Sequence, residues 1–405
     1  MTTTQRPSTS GATGHQLPAT DLDLGDPAFA ADPYPALAAL REQGLLVRHS
    51  ASGMLLATTY AAVTEVLRHR AFGRVWRDRE PADAYAAFNL LHRHQMMESE
   101  PPEHTRLRRL VAGAFGRGHV ERMRPRIAAI ADDLLDQVAV AAGDRPVDLI
   151  SGYAEPLPVA VVADLLGVPA ADRPLLRGWS QAIVRMYEYA RSAEVERAAV
   201  VASAEFAGYV RELATERRRE PGEDLLTDLM RARQGGAGLS EDELVASVVL
   251  LLNAGHEASV NGFGNGLVDL LRHPDQLATL TSGAVAVETA VEELLRHDPP
   301  LQLFERTATA AVDVAGVRVP AGTKVAALLG SPRSARSVGW ALHALPACAD
   351  VPWQRVINSD GRISAGSRGL GAPIQAQLLR DEGVRLDRAG RVDFRRFLWD
   401  GNAGG

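Results

Sequence analysis

The sequence predicts a mainly α-helical fold with small β-sheets, followed by a small α/β unit. Long helical patterns fill most of the first 330 residues, two short hairpin patterns accompany them, and the character of the sequence changes near Gly330. With 405 residues, 46% hydrophobic and 23% charged, the chain is long enough for one large core and a smaller second one. We therefore predict a disordered tail over residues 1–25, a large domain over 26–330 and a small domain over 331–405.

The first elements expected after the polar tail are a hairpin and a helix. Residues 45–50 and 54–59 read as two strands around Ala51-Ser52-Gly53, and residues 60–70 then favour a helix. Prolines between 156 and 174 and glycines between 235 and 238 interrupt the long helical patterns that follow. A second hairpin is expected to turn at Ala315-Gly316, between Val312 and Val319.

A long helix is predicted to begin at Ser240. Ser240 and Glu243 have the spacing of a capping box, in which each side chain accepts a hydrogen bond from the other residue's backbone N–H. The apolar run that follows is broken at Asn253, His256 and Glu257, which makes it too short to cross a bilayer. A kinked core helix with a buried polar pair explains this pattern without any function.

Composition and charge narrow the classes of function. No apolar leader or membrane anchor is recognisable, and a single cysteine excludes a disulfide framework, so we expect a cytoplasmic protein without a membrane partner. No Cys and His cluster has zinc spacing, and no metal ligand is assigned. Residues 331–405 hold 11 arginines, no lysine and seven acidic residues, a net charge of +4 against −10 for the rest. A basic tail permits nucleic-acid binding without establishing it.

Several short patterns in the large domain bring together cations and small residues. His104 and Arg108 are four residues apart, so both lie on one face of a helix, where they could hold anionic groups. Small residues at Ala254 and Gly255 leave room for a flat molecule against the backbone of the long helix. Each pattern also has a purely structural explanation, because such helix faces are usually solvated.

Residues 101–110, 250–259, 291–296 and 304–307 together resemble the corresponding segments of the bacterial cytochrome P-450 monooxygenases, in the same order. This resemblance implies that His104, Arg108 and Arg306 bind haem propionates, that Ala254 and Gly255 lie against the haem, and that Glu293 and Arg296 form a structural ion pair. The implied partners are a ferredoxin-type electron donor and a hydrophobic small-molecule substrate.

Departures from that family pattern put oxidation in doubt. In the family, an acidic residue followed by a threonine relays protons to oxygen bound at the iron. Glu257 matches the acidic residue, but Ala258 occupies the threonine position, so Ser259 is the residue that could supply the hydroxyl instead. The glycine-flanked cysteine loop that ligates the haem iron, and the helix after it, are not found in the sequence. Cys348 lacks those glycines and a following helix that would favour its thiolate. We expect haem binding to be impaired and apolar area on the long helix to be exposed.

The last 75 residues begin with a predicted basic helix. Ser331 suits an N-cap and Pro332 the first helical turn, while Arg333 and Arg336 lie off the apolar stripe of residues 335, 338, 342 and 345. Such a helix can enter a DNA groove or remain solvated. Residues 351–364, 378–384 and 392–399 then resemble the alkyltransferase-like proteins, relatives of the O6-alkylguanine-DNA alkyltransferases, with a small winged-helix-type α/β fold.

That second resemblance implies DNA binding without alkyl transfer. Trp353 occupies the place of the nucleophilic cysteine, and an indole has no thiolate. Arg336 looks like the residue that replaces an extruded base, and the implied partner is duplex DNA carrying O6-alkylguanine. The residues expected to support the lesion pocket are Gln354, Arg355 and Glu382.

The junction between the two resemblances falls at residues 325–330. Val325–Gly330 suits either a strand after the second hairpin or a helix before the basic helix. A crossover in this stretch would explain why both family patterns are incomplete. A natural gene fusion, a deletion product and a sequence-assembly error all remain open. The alternative function is an inactive fusion product or a sequence-assembly artefact with neither activity.

Overall fold

The structure is a computed structural model that describes residues 17–115, 117–143, 145–188, 191–232, 236, 238–328, 371–387 and 390–393. Its helices, numbered here in chain order, are α1 Pro27–Ala31, α2 Tyr34–Gln43, α3 Tyr60–Arg68, α4 Ala86–Arg93, α5 Glu103–Ala114, α6 Arg117–Ala142, α7 Pro156–Leu166, α8 Arg173–Val184, α9 Ala193–Arg219, α10 Leu225–Arg231, α11 Glu241–Arg272, α12 Pro274–Thr281, α13 Val287–His297 and α14 Gly371–Asp381. The strands are β1 Ala19–Thr20, β2 Leu46–His49, β3 Leu55–Ala57, β4 Phe72–Gly73, β5 Leu303–Ala308, β6 Val312–Val314, β7 Val317–Val319 and β8 Lys324–Leu328. The fold is mainly α-helical, as predicted.

The chain divides into two compact units. One comprises residues 1–264 and 300–330, and the other comprises residues 265–299 and 331–405. The division near 330 coincides with the change of character in the sequence. Residues 265–299, which we had expected to belong with the large domain, cluster with the second unit.

Both predicted hairpins form. β2 and β3 pair antiparallel, with Val47 opposite Leu56, and β6 pairs antiparallel with β7. The second turn contains Gly316 at φ +80° and Ala315 at φ +49°, the left-handed conformation that a tight two-residue turn requires. The helix after the first hairpin is also present, as α3.

A six-stranded sheet in the first unit has the order β1-β2-β3-β8-β5-β4. Alternate residues of its central strands face opposite sides, as the two-residue period of a strand requires. Val47, Leu56 and Ala326 pack with residues of α2, whereas Leu55 and Val325 pack with residues of α3. Residues 324–328 therefore form a strand, with β3 parallel on one side and β5 antiparallel on the other.

The helical core of the first unit is built around α9 and the N-terminal half of α11. Buried side chains from α4, α5 and α7 to α11 form one apolar cluster, in which Phe88 and Phe206 are fully buried. Leu244, Val245 and Leu252 supply the buried face of α11. Burial of an apolar side chain contributes about 1.5–3 kcal/mol, so this cluster is the main source of stability for the unit.

The predicted capping box begins α11. The Ser240 N–H donates to Glu243 Oε2 at 2.7 Å, and the Glu243 N–H donates to Ser240 Oγ at 3.2 Å. By length and composition alone α11 could cross a membrane, but half of its most apolar window is buried inside the protein, as in core helices of soluble proteins. Val268 and Leu271, near its C-terminus, are exposed.

In the second unit, α12 and α13 contain no buried residue. α13 approaches α11 at Gly266, where a Cβ atom would lie 3.1 Å from Leu294 Cδ1. Val287, Val291 and Leu295 form an exposed stripe on α13 at a spacing of four residues. In the last part of the chain, α14 is followed by an antiparallel bridge between Leu386 and Val392.

Candidate functional site

α5 carries the predicted pair His104 and Arg108. Glu103 lies in the first turn, where a carboxylate favours the positive end of the helix dipole. Leu107, Leu110 and Val111 are buried, and by helical periodicity His104 and Arg108 lie along the edge of this buried face. His104 is half-buried and Arg108 is exposed.

Arg306 lies in β5 and is half-buried. Its Nη1 donates to the carbonyl oxygen of Glu305 at 2.8 Å. Burial, and then repulsion from Arg74, hold the pKa of the Arg306 guanidinium below its ordinary value, while Glu100 and Glu98 act in the opposite direction. Arg74 itself forms an ion pair with Glu98. The Arg306 guanidinium remains a cation in partly desolvated surroundings.

The middle of α11 holds the other predicted residues. Ser259 Oγ donates to the carbonyl oxygen of Gly255 at 2.7 Å, one turn back in the helix, so its proton is directed into its own backbone. Burial raises the pKa of Glu257, and the like charges of Glu155 and Glu188 raise it further. Ala254 is exposed, and at Gly255 a Cβ atom would lie 3.1 Å from Val162 Cγ2.

His256, between these residues, was not among the predicted site residues. It is 1% exposed, its Nδ1 lies 3.2 Å from Ser180 Oγ, and its Nε2 has no hydrogen-bond partner among the described residues. Burial lowers the pKa of this imidazole. A histidine within an apolar helical run was the available signal in the sequence.

Glu293 and Arg296 of α13 form an ion pair, with Arg296 Nε 2.6 Å from Glu293 Oε2. The hydrogen bond from Arg296 holds the pKa of Glu293 below its ordinary value. Both side chains are well exposed, and an exposed pair at this spacing contributes only a few tenths of a kcal/mol.

A polar and aromatic cluster that sequence reasoning missed lies around α4. His92 stacks on Trp76 and Phe88, with ring centroids 4.6 and 4.0 Å away. His92 Nδ1 donates to the carbonyl oxygen of Phe88 at 2.7 Å, so its Nε2 accepts from the hydroxyl of Tyr187. Arg79 lies over the Phe88 ring, 5.5 Å from the centroid. These residues come from segments about 100 positions apart, so no local sequence pattern reveals them.

A thiolate-ligated haem requires cations for its propionates, a flat apolar face and a sulfur donor. The described residues supply His104 and Arg306 as donors for the propionates and small residues on α11, but they contain no cysteine. Across the described ranges no group of three His, Cys, Asp or Glu side chains could hold a metal ion. The described side chains therefore do not include the thiolate ligand of such a site, and Cys348 lies outside the described residues.

Most of the residues predicted to bind DNA lie outside the described residues, namely Arg333, Arg336, Trp353, Gln354 and Arg355, as does Cys348. Glu382 is described and exposed, directly after the end of α14. Gly383 follows at φ +83°, which suits the turn that ends this helix.

Comparison with known proteins supports both resemblances. The chain is 40% identical over 317 residues to the cytochrome P-450 monooxygenase PikC of Streptomyces venezuelae, covering 76% of this chain and 73% of that protein. It is 38% identical over 322 residues to vitamin D(3) 25-hydroxylase of Pseudonocardia autotrophica, covering 78% and 77%. The crystal structure of cytochrome P-450 BioI in complex with acyl-ligated acyl carrier protein superposes with a TM-score of 0.70 at 31% identity, covering 75% of this chain and 78% of that one.

A family model also matches the end of the chain. Residues 313–384 match the DNA-binding domain of 6-O-methylguanine DNA methyltransferase. The match begins inside the hairpin β6–β7 and includes β8, although β8 is part of the large sheet. The relatives of the larger part imply a haem cofactor, redox partners and hydrophobic substrates. The chain therefore belongs to the cytochrome P-450 family and carries an alkyltransferase-like DNA-binding domain at its C-terminal end.

Proposed function

We propose that this chain does not carry out thiolate-haem oxidation and that its activity is non-enzymatic binding of duplex DNA containing O6-alkylguanine. The observation that carries the proposal is the position of its single cysteine. Cys348 falls within residues 313–384, the segment that matches the DNA-binding domain, and residues 26–330 contain no cysteine that could supply a thiolate. We place the domain boundaries at residues 26–330 and 331–405. Within the tail predicted over residues 1–25, Ala19 and Thr20 form a strand that pairs with β2.

The DNA-binding role rests on the residue types in the tail. Arg333 and Arg336 would lie on the helix that enters the minor groove, with Arg336 filling the space of the extruded base. Trp353 would border the lesion pocket, supported by Gln354, Arg355 and Glu382. Because tryptophan provides no nucleophile, no alkyl group would be transferred.

The residues that face the haem in the family would then be present in this chain, but the oxidation they support in the family would not take place. His104, Arg108 and Arg306 would bind propionates, Ala254 and Gly255 would face the porphyrin, Glu257 and Ser259 would hold the relay position, and Glu293 with Arg296 would support the fold. Without a thiolate, neither a ferredoxin-type donor nor a hydrophobic substrate would be used productively. We expect the protein in the cytoplasm.

Gel shifts with paired duplexes test the DNA proposal. The full chain should bind a duplex containing O6-methylguanine more tightly than the same duplex with guanine. Arg336→Ala should weaken binding by about tenfold. Arg391→Ala is the matched control, because Arg391 is an arginine of the same tail that is already paired with Asp387 at 3.5 Å. Equal affinity for the two duplexes, or unchanged binding by Arg336→Ala, would contradict the proposal.

An absorption spectrum tests the loss of oxidation. After addition of hemin, reduction and exposure to carbon monoxide, the full chain should give no thiolate-type Soret band. Cys348→Ser should give the same spectrum as the unmodified chain. A thiolate-type band that disappears in Cys348→Ser would restore the monooxygenase assignment, with Cys348 as the ligand.

The alternative is an inactive fusion product or a sequence-assembly artefact. It is favoured by the family match that begins at residue 313, inside the hairpin β6–β7 of the first unit, and that includes β8 of the six-stranded sheet. Sequencing genomic DNA across the codons for Val325 to Ser331 distinguishes these cases. An interrupted reading frame would establish the artefact, and a continuous one would exclude it.

A further inference from the structure

A cavity of about 520 Å³ lies between α6, α7 and α8 of the first unit, a volume that is ordinary for a small-molecule site. None of the residues predicted to face haem or DNA lines it. The part of its surface that comes from Ile130 on α6 and from Val159 and Ala160 on α7 is apolar, and these three side chains are buried. The cavity can therefore cover an apolar body of limited size.

One end of the cavity presents two arginines that share one acid. Arg126 Nε donates to Asp164 Oδ2 at 2.6 Å, and Arg173 Nη2 donates to Asp164 Oδ1. Both oxygens of this carboxylate are therefore used, one by each guanidinium. Among the nitrogens of the Arg173 guanidinium, only Nη2 donates to a described residue, and Nε is buried without a partner. This guanidinium still has N–H donors for a further acceptor.

Asp133 lines the cavity farther along α6. It follows Arg126 by seven residues, so the two lie on the same face of the helix and about 10 Å apart along its axis. The hydrogen bond from Arg126 to Asp164 is the main reason that the pKa of Arg126 is raised, and Asp133 adds a smaller effect. Asp133 is exposed and makes no hydrogen bond or ion pair with a residue in the described ranges. Its carboxylate is therefore available to a cation.

The charges around the cavity are balanced. Arg177, the third arginine on its wall, forms an ion pair with Glu155. Three arginines therefore stand against three acids, Asp133, Glu155 and Asp164. A ligand with one charge of either sign would disturb this balance, whereas a ligand with a negative end and a positive end would preserve it.

We propose that this cavity binds a linear zwitterion with an apolar chain between its two charges. Its carboxylate accepts from Arg173, its ammonium group donates to Asp133, and the chain lies against Ile130, Val159 and Ala160. Guanidinium donors match the two oxygens of a carboxylate, and an ammonium group donates to an acid without a fixed direction. The chain has to span the distance of about 10 Å that separates the two ends. The site needs neither haem nor DNA, so the inference is independent of the proposed function.

Calorimetric titration of the full chain with 8-aminooctanoate, octanoate and octylamine tests this. The three probes have similar apolar chains and differ in their charged ends, and the zwitterion should bind at least about tenfold more tightly than either of the others. 3-Aminopropanoate carries the same two charges on a chain that is too short to reach both ends, and it should not bind measurably.

Variants assign the two ends of the ligand separately. Arg173→Gln should weaken binding of 8-aminooctanoate about tenfold and leave octylamine unchanged, because only the carboxylate end loses its partner. Asp133→Asn should weaken 8-aminooctanoate by a similar factor and leave octanoate unchanged. Arg124→Gln and Asp136→Asn are the matched controls, since both residues are exposed on α6 and do not line the cavity.

Comparison of the probes on the unmodified chain does not depend on any variant folding. The proposal would be overturned by equal affinity for 8-aminooctanoate and the singly charged probes, or by no measurable binding of 8-aminooctanoate. Equal binding of the short and the long zwitterion would overturn it as well, because the short one cannot contact both ends. Unchanged affinity for 8-aminooctanoate in an Asp133→Asn protein whose circular dichroism shows it to be folded would have the same consequence.

Discussion

Gly167 is the residue at which backbone conformation and packing act together. It ends α7 at φ +72°, and a methyl group there would overlap the carboxylate of Asp224. That carboxylate accepts from the Thr227 N–H at 2.8 Å and from Arg217 Nε at 2.6 Å, and Arg217 Nη2 donates to the Gly167 carbonyl oxygen at 2.6 Å. Displacing Asp224 would break the cap of α10 and its ion pair at once.

Gly167→Ala should therefore destabilise the protein by about 2–4 kcal/mol, from the left-handed conformation together with the steric overlap. Gly53→Ala is the matched control, because Gly53 has φ +70° but no atom within 4 Å of an added Cβ. The control substitution should lower the free energy of unfolding by only about 1 kcal/mol. Urea unfolding of the two variants measures the difference, and equal losses would show that Asp224 moves aside without cost.

His92 should make stability depend on pH. Burial lowers its pKa to about 4, below the value of about 6.5 for an unfolded histidine. The unfolded chain therefore binds more protons than the folded chain between these values, so stability is full above pH 6.5 and falls as the pH falls toward 4. The loss attributable to His92 is about 3 kcal/mol at pH 4.

His92→Gln should flatten this part of the pH profile. Carboxylates and His256 contribute to the same acid range, so the informative quantity is the difference between the profiles of the variant and the unmodified chain. Urea unfolding from pH 7 to pH 4 measures it. Parallel profiles would mean that His92 is protonated in the folded protein.

At the scale of the element, the start of α11 depends on its capping box. Ser240→Ala removes the hydroxyl that accepts a hydrogen bond from the Glu243 N–H. It should lower the free energy of unfolding by about 1 kcal/mol. Thr279→Ala is the control, since this exposed hydroxyl only donates to the Asp275 carbonyl oxygen one turn back within α12. The control should change stability by less than about 0.5 kcal/mol. A thermal or urea transition measured for both variants compares them directly.

α13 presents the other feature at this scale, its exposed stripe of Val287, Val291 and Leu295. Contiguous exposed apolar area binds hydrophobic dyes and promotes association. The triple variant Val287→Thr, Val291→Thr and Leu295→Gln should reduce dye fluorescence without lowering the unfolding midpoint. Val140→Thr changes an isolated valine that is 86% exposed, so it should leave dye binding unaltered. Unchanged dye fluorescence in the triple variant would show that the dye binds to another exposed apolar surface.

At the scale of the whole molecule, charge is divided between an acidic body and a small basic tail. With a net charge of +4 on residues 331–405, binding to DNA should release counterions from about four phosphates. Raising the salt concentration from 50 to 200 mM should then weaken binding about a hundredfold. Filter binding across that range measures the slope. A slope near zero would show that the tail does not contact the phosphate backbone.

Both hairpins, the helix after the first one and the capping box of α11 followed from the sequence. Each of these depends on neighbouring residues: turn formers between alternating strands, or a serine three residues before a glutamate. Glu293 and Arg296 form an ion pair on α13, where residues three apart are adjacent on the helix surface.

Tertiary structure alone decided what residues 325–328 become and which residues surround Arg79. The apolar run in β8 suits a helix or a strand equally. It forms a strand because β3 and β5 supply its hydrogen-bond partners, and β3 lies about 270 positions earlier in the chain. Arg79, Asn89, Tyr187 and Glu196 meet for the same reason. Local sequence determines the elements, whereas contacts between distant segments determine which polar groups meet a hydrogen-bond partner.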